Sequence, residues 1–486
     1  MKTLNFPKTM NPVNLNPLFS PKNLTFLSPK LHIVKYLNPP LSLALCSRKP
    51  NNHNQTDNII EENPNCKSNA EFEFDPNEND LQDTQPNFIF SSDNPTSTPP
   101  APSSRGLIFN PGQSGCWDSI EIGSPVVKRF LSDDEERWYM WYYGKSEKNL
   151  DSGSIGLAIS SNGVHWERGE QAAGDSSSGT GMVMTCGEDW WAFDTKSIRP
   201  SEIMIMSSNK VRASSAVYWL YYTGYSSEEV EMEVQSPQDY SLQFTEAVNG
   251  PGLGIGLGFG RVSKSLPGLA ISQDGRNWAR IEGDHHSGAL LDVGSNLNGE
   301  WEWDSLFIAS PHVVSHSNGD MRMYYHSFDP QEGKFGIGIA RSRDGIKWVK
   351  LGKIKTIGQG SSNEECFDEM GALNACVVKD KKVGNYLMAY ESVAKDGKRS
   401  IGMAVSEDGL KDWRRVSDEA VLTASSEDGW DSKGVGSPCL VQMDGDEDRW
   451  RLYYTGLGVD CKTGIGLAVS QGSDITSFRR WAGFRL

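Results

Sequence analysis

The chain has 486 residues, enough for two or three average domains or one long all-β body. It carries 47 Lys and Arg against 63 Asp and Glu, for a formal net charge of −16, together with 15 Trp, 15 Tyr and 49 Gly. The acidic balance argues against nucleic acid as a main partner, no apolar run reaches the ~18 residues of a membrane-spanning helix, and the aromatic and glycine content suits strands joined by tight turns.

Residues 1–50 hold seven Lys or Arg and no Asp or Glu, and are rich in Ser, Asn, Pro and Leu. They lack the single apolar core of a secretory signal, so the profile predicts an organellar transit peptide. Proline disfavours the amphipathic helix of a mitochondrial presequence, which makes the chloroplast stroma the expected compartment ahead of the mitochondrion. Residues 51–105 shift to Asn, Asp, Glu, Ser and Pro, ending in DNPTSTPPAPSSR, and read as a disordered acidic linker. The eight Cys form no CxxC pattern and are expected to be reduced thiols.

From residue 106 to 486 one unit recurs five times. Each copy opens with an aromatic and an Asp leading into a strand: WDSIEIGSPVV at Asp118, FDTKSIRPSEI at Asp194, WDSLFIASPHVV at Asp304, FDEMGALNACVV at Asp368 and WDSKGVGSPCLV at Asp431. A strand crowded with aromatics follows, as in WYMWYYG and WRLYYTG. A third strand and turn come next, as in IGLAISSNGVHW and IGIARSRDGIKW. Asn-Gly and Asp-Gly at these turns predict two-residue type I′ hairpins, after which Trp166, Trp278, Trp348 and Trp413 open a fourth strand. Four antiparallel strands in each of five units, with leading Asp residues 76, 110, 64 and 63 apart, predict an all-β, five-bladed β-propeller. The long spacing marks an insertion at about 226–262, acidic at first and then Gly-rich, expected to be a loop over one face.

An Asp repeated in all five blades suits a turn-capping, structural role, although such a position can also be recruited for chemistry in one blade. Departures from the repeat are separate functional candidates. Blade two carries Arg199 and Glu202 on its leading strand, and blade three carries His312 after its Ser-Pro. After the paired aromatics, where other blades have Gly144, Thr223 and Thr455, blades three and four carry His326 and Glu391. A Glu in an apolar setting keeps its proton near neutral pH, so Glu391 is a candidate general acid with His326 as its polar partner.

The blade grammar, D…SPxV, YMYYxG and IGLAxSxDGxxW, resembles that of the five-bladed propeller superfamily that includes arabinanases, xylosidases, levansucrases and invertases. The resemblance covers about 380 residues and implies hydrolysis or transfer of a glycosyl group in a funnel at the propeller axis. Such chemistry needs one protonated and one ionised carboxylate, about 5–5.5 Å apart for retention or about 6.5–9.5 Å for inversion. It implies Asp118, Asp194 and, where blade three offers no Glu, Glu391 as catalytic residues. Asp304, His312, His326, Arg199, Glu202, Trp117 and Trp303 would then contact substrate. The residues before proline are Ser124, Arg199, Ser310 and Ser437, where many members of the superfamily have the catalytic Asp. The expected ligand is a small neutral glycan or glycoside, with no cofactor beyond a structural Ca²⁺ held by axial carboxylates. The alternatives are a propeller whose glycosidase site has decayed, leaving it to bind a sugar, a metabolite or a stromal protein, and recruitment to lyase or ester chemistry. Nothing in the sequence fixes an oligomeric state.

Overall fold

The computed structural model describes the chain from residue 104, apart from 132–135, 170–178, 207–216, 232–260, 298–299, 318, 356, 358–365, 427, 445–449 and 484–486. The expected transit peptide, nearly all of the linker and the centre of the insertion therefore lie outside the described residues. The chain divides into two units, Met1–Phe90 and Ser91–Leu486, and everything described belongs to the second.

That unit is a five-bladed propeller. A short strand, β1 (Leu107–Phe109), comes first. Blade one is β2 (Glu121–Leu131), β3 (Glu136–Ser146), β4 (Asn149–Ser160) and β5 (Glu167–Arg168), with β6 (Met182–Met184) also paired to β4. Blade two is β7 (Ser197–Ile205), β8 (Tyr218–Glu231), β9 (Arg261–Ser272) and β10 (Ala279–Ile281). A two-stranded ribbon, β11 (Asn296–Leu297) with β12 (Glu300–Trp301), precedes blade three, which is β13 (Ala309–Ser317), β14 (Asp320–Asp329), β15 (Lys334–Ser342) and β16 (Val349–Lys353). Blade four is β17 (Ala372–Lys379), β18 (Tyr386–Val393), β19 (Arg399–Ser406) and β20 (Arg414–Arg415). Blade five is β21 (Gly434–Gln442), β22 (Trp450–Leu457), β23 (Thr463–Gln471) and β24 (Asp474–Arg480). Every pairing is antiparallel within the blades, and β1 pairs with β23, so the start of the propeller sequence closes the ring on its last blade.

The core is five apolar layers, one in each gap between neighbouring blades. Trp141 and Phe130 of blade one meet Tyr218 and Ile203 of blade two, and Tyr221 meets Met323 and Tyr325. Tyr324 meets Tyr386 and Trp413, Leu387 meets Leu452, and Tyr453 meets Trp138 and Met140. The aromatic second strands supply most of this area because they are covered on both faces.

The turn after the third strand differs from the two-residue hairpin expected. In blades one to three β-strand ends at Ser160, Ser272 and Ser342 and resumes at residues 167, 279 and 349. Only the glycine has positive φ, 73° at Gly163 and Gly275 and 76° at Gly345, so a type I′ turn is not formed. Side chains hold the turn instead. Ser160 Oγ accepts the N–H of Gly163 at 2.9 Å, and Asn162 Oδ1 accepts those of Val164 and His165 at 2.9 and 3.0 Å. The freed glycine carbonyl is then bonded by an aromatic of the preceding blade, as Tyr453 Oη donates to Gly163 O at 2.9 Å and Trp141 Nε1 to Gly275 O at 2.9 Å.

Candidate functional site

The repeated Asp is fully buried and sits in the same three-residue cluster in every blade. Asp118 Oδ2 accepts from Tyr142 Oη at 2.9 Å and Arg168 Nε at 2.8 Å. Asp194 accepts from Tyr222 and Arg280 at 2.9 and 2.8 Å, and Asp304 from Tyr325 and Lys350 at 2.9 and 2.8 Å. Asp368 accepts from Tyr390 and Arg415 at 3.1 and 2.6 Å, and Asp431 from Tyr454 and Arg480 at 2.9 and 2.8 Å. Each carboxylate thus ties the turn before the inner strand to the second and fourth strands of its own blade. The preceding aromatic packs on the same tyrosine: ring centroids are 5.5 Å apart for Trp117 and Tyr142 and 5.7 Å for Trp303 and Tyr325. A Cβ on Gly156 would lie 2.4 Å from Trp117, which explains the small residue on the third strand.

Asp118 and Asp194, expected as catalysts, and Asp304, Trp117 and Trp303, expected to contact substrate, are therefore placed inside blades and engaged by them. The basic partner always lies two residues after the aromatic of the fourth strand: Trp166 and Arg168, Trp278 and Arg280, Trp348 and Lys350, Trp413 and Arg415, Phe478 and Arg480. That signal was present in the sequence and was missed.

His326 and Glu391 answer a different demand. Each inner strand carries a β-bulge, at 123–126, 309–312, 373–376 and 436–439, where Ser124, Ser310, Asn374 and Ser437 adopt φ of 47°, 51°, 49° and 44°. The bulge turns an N–H out of the ladder, and a buried N–H needs an acceptor. The preceding blade supplies it: Thr455 Oγ1 for Ser124 at 2.9 Å, Thr223 Oγ1 for Ser310 at 2.8 Å, His326 Nδ1 for Asn374 at 3.3 Å and Glu391 Oε2 for Ser437 at 2.8 Å. The fifth bulge has Pro200, which has no N–H, and the matching residue of the preceding blade is Tyr143 rather than Gly144, which aligns with Gly224 and Gly456; the Tyr143 ring lies under the Arg199 guanidinium.

Glu391 is saturated in this position. Its Oε2 also accepts from Asn374 Nδ2 at 2.7 Å, and its Oε1 accepts from Arg399 Nη1 at 2.7 Å, with the side chain wholly buried. Both carboxylate oxygens are thus taken up by donors of the fold, whereas the general-acid role expected of Glu391 would need one directed at a substrate. His326 meets Glu391 only through Asn374. Burial, with Arg399 nearby, pushes the His326 pKa down to about 3, so the ring is neutral with its proton on Nε2.

Register places Val126, Glu202, His312, Cys376 and Cys439 at one rank, opposite Trp141, Tyr221, Tyr324, Ala389 and Tyr453 respectively, where they form a constriction around the axis. Glu202 therefore corresponds to His312, rather than Ser201 as the proline alignment suggests. Glu202 is bonded by Lys128 and lies 3.1 Å from His312 Nδ1, while His312 Nε2 donates to Val377 O at 2.8 Å. Burial disfavours charge on both cations. At Lys128 the carboxylate more than offsets this and raises the pKa, whereas at His312 burial prevails and lowers it. Arg199 lies nearer the mouth face, the face bearing the turns that lead into the inner strands, where it pairs with Glu121 at 3.2 Å and lies 3.6 Å above the Tyr143 ring.

Cavities flank the constriction, one of 40 Å³ at the bulge rank and one of 280 Å³ beyond it. A larger cleft of 810 Å³ opens on the mouth face between blades four and five, lined by Phe367, Glu369, Lys395, Arg399, Ser400 and Lys433 among others. Among the described residues no salt bridge engages Glu369, unlike Glu121, Glu202 and Glu391. Blade two carries a 140 Å³ pocket beside Trp190 and Trp191, which are 91% and 40% exposed. Among the described residues no group of three or more His, Cys, Asp or Glu side chains is arranged to hold a metal ion, and no helix is long and apolar enough to cross a membrane.

No family model matches the chain. Two curated relatives, the uncharacterized proteins MT1551 and Rv1502 of Mycobacterium tuberculosis strains CDC 1551 / Oshkosh and ATCC 25618 / H37Rv, are each 34% identical over 173 residues, 35% of this chain and 52% of theirs. The chain spans about half the length of the curated relatives it matches. Among solved structures it is similar to a glycosyl hydrolase from Bacteroides ovatus, at 14% identity and a TM-score of 0.46 over 77% of this chain and 93% of that protein. It is also similar to a thermostable family-43 glycoside hydrolase, at 16% identity and 0.47 over 75% and 95%. An N-acetylgalactosamine deacetylase from F. plautii in complex with blood group B trisaccharide gives 13% identity and 0.47 over 76% and 94%. At these identities the similarity concerns the fold alone.

Proposed function

We propose that this chain is a glycosidase-like propeller that takes a carbohydrate or glycoside into the cleft between blades four and five. The observation that carries the reading is the cleft itself. At 810 Å³ it falls in the range of ligand sites, and it joins an aromatic edge, Phe367, to charged and hydroxyl groups that suit a sugar. Asp396 pairs with Lys398 at 2.7 Å and Glu391 with Arg399, which leaves Lys395, Lys433 and Glu369 as the charged groups of the lining outside any salt bridge among the described residues. That balance favours a sugar bearing a carboxylate or phosphate over the neutral one expected from the overall charge.

Binding is the first reading because hydrolysis needs two carboxylates in opposite protonation states, and Glu121, Glu202 and Glu391 each face a cation. Hydrolysis is the second reading, favoured by Glu369, which lines the cleft free of any such pairing among the described residues. The test is retention and turnover of a library of neutral and acidic glycosides by the full chain, read by mass spectrometry. A retained acidic glycoside whose affinity falls at least about ten-fold in Lys433→Glu and is unchanged in Trp190→Ala supports the site. Retention indifferent to Lys433, or no carbohydrate retained, contradicts it. Turnover abolished by Glu369→Gln with binding intact moves hydrolysis to first place.

The compartment we propose is a plastid, supported by the basic, acid-free first fifty residues. Residues 1–105 fused to a fluorescent protein are expected to direct it there, and retention in the cytosol would contradict this.

A further inference from the structure

Two thiols meet at the axial constriction. Cys376 of blade four and Cys439 of blade five occupy the same rank of adjacent inner strands, are 5% and 8% exposed, and are free. Cys376 Sγ accepts the N–H of Leu440, the residue after Cys439, at 3.3 Å, which places its sulfur against the partner's backbone. Cys439 Sγ in turn accepts the N–H of Val127 at 3.3 Å. The two thiols are thus neighbours across the gap between blades four and five. The neighbouring Cys376 and the Lys128 ammonium hold the Cys439 thiol below its usual range against the effect of burial, while Cys376, beside Cys439 and buried, is pushed up. One sulfur is thus disposed toward thiolate with a thiol beside it. Both line the 40 Å³ and 280 Å³ cavities, so a molecule the size of a peroxide has access from the axis.

We propose that Cys376 and Cys439 form a redox-active pair that closes to an inter-blade disulfide when the chain meets a hydroperoxide. The Cys439 thiolate attacks one peroxide oxygen, the O–O bond breaks, and with a proton the leaving oxygen departs as water, or as an alcohol from an organic peroxide. The Cys376 sulfur then displaces the sulfenic hydroxyl, its proton leaves with that oxygen as a second water, and the S–S bond forms. Two thiol hydrogens and two electrons pass to one peroxide. The bond joins the two blades that flank the 810 Å³ cleft, 63 residues apart in sequence. The proposal goes beyond the carbohydrate reading and does not depend on it.

The test treats the reduced full chain with hydrogen peroxide, blocks free thiols with N-ethylmaleimide after unfolding, and maps a non-reducing digest by mass spectrometry. The expected product is a Cys376–Cys439 cross-linked peptide pair, formed at least about ten-fold faster than any modification of exposed Cys461 and reversed by dithiothreitol. Lys128→Gln should slow it, and Cys376→Ser should leave Cys439 as a sulfenic acid trapped by dimedone. Full alkylation of both thiols while Cys461 is oxidised, or sulfinic acid at Cys439 with Cys376 free in the parent chain, would overturn the proposal. The parent measurement needs no variant, so a misfolded substitution does not blur the outcome.

Discussion

Thr455 Oγ1 accepts the backbone N–H of Ser124 at 2.9 Å, a bond that joins the last blade to the first. It exists because the Ser124 bulge turns that N–H out of its own sheet, and the same need recurs at Ser310, Asn374 and Ser437. Thr455→Val keeps the shape and removes the acceptor, so it should cost about 1–3 kcal/mol. Thr455→Ser should cost less. The converse change, Pro200→Ala, creates an N–H where the preceding blade has Tyr143, its ring covered by Arg199, in place of a short side-chain acceptor, and should also destabilise. Urea unfolding of the three variants checks this, and a Thr455→Val chain as stable as the parent would show that the bond contributes nothing.

Glu391 and Arg399 should behave as a buried pair. Glu391→Gln leaves the guanidinium uncompensated and is expected to cost about 3–5 kcal/mol. Replacing both, with Thr at 391 as in blades two and five and Met at 399, should recover much of that loss. A double-mutant cycle in thermal unfolding reads the coupling. Additive losses would mean that the pair is not coupled.

His326 makes stability depend on pH with a definite sign. Its folded pKa, about 3, lies below the ordinary 6.5, so the unfolded chain binds the proton first. The His326 contribution is therefore fully present above about pH 6.5 and declines as pH falls toward 3, with a slope of up to about 1.4 kcal/mol per pH unit. His326→Thr keeps an acceptor for Asn374 and removes the titration. The unfolding midpoints of parent and variant, compared at pH 7 and pH 5, should converge at the lower value. A constant difference would exclude His326 as the group responsible.

The blade grammar was legible because its causes are local. An aromatic-Asp pair, a run of aromatics and a glycine turn each recur at short range, and five copies fix the architecture. Even so, Asn-Gly and Asp-Gly suggested a tighter turn than forms, since Ser160 and Asn162 hold the loop through side-chain bonds that hairpin statistics do not include. The candidate site was legible only in part. His326 and Glu391 did stand out as departures, but their role depends on the φ of a residue in the next blade, 48 and 46 positions away. Glu202 and His312 were recognised singly, whereas their meeting at the axis required the ring to close. Glu369, on the leading segment of blade four, could not be given a face from alternation because that segment is a turn until Ala372.

The central claim is that the repeated Asp belongs to the scaffold in every blade, including the two where a catalyst was expected. The measurement is the unfolding free energy of Asp118→Asn, Asp194→Asn, Asp304→Asn, Asp368→Asn and Asp431→Asn, made in parallel. Each removes the charge of a buried Asp that bonds a part-exposed Arg or Lys, so all five should lose at least about 2 kcal/mol. Residues kept for chemistry rather than for stability tend to behave the other way. If Asp118→Asn or Asp194→Asn is as stable as the parent while the other three fall, those positions serve something other than the fold, and the account is wrong.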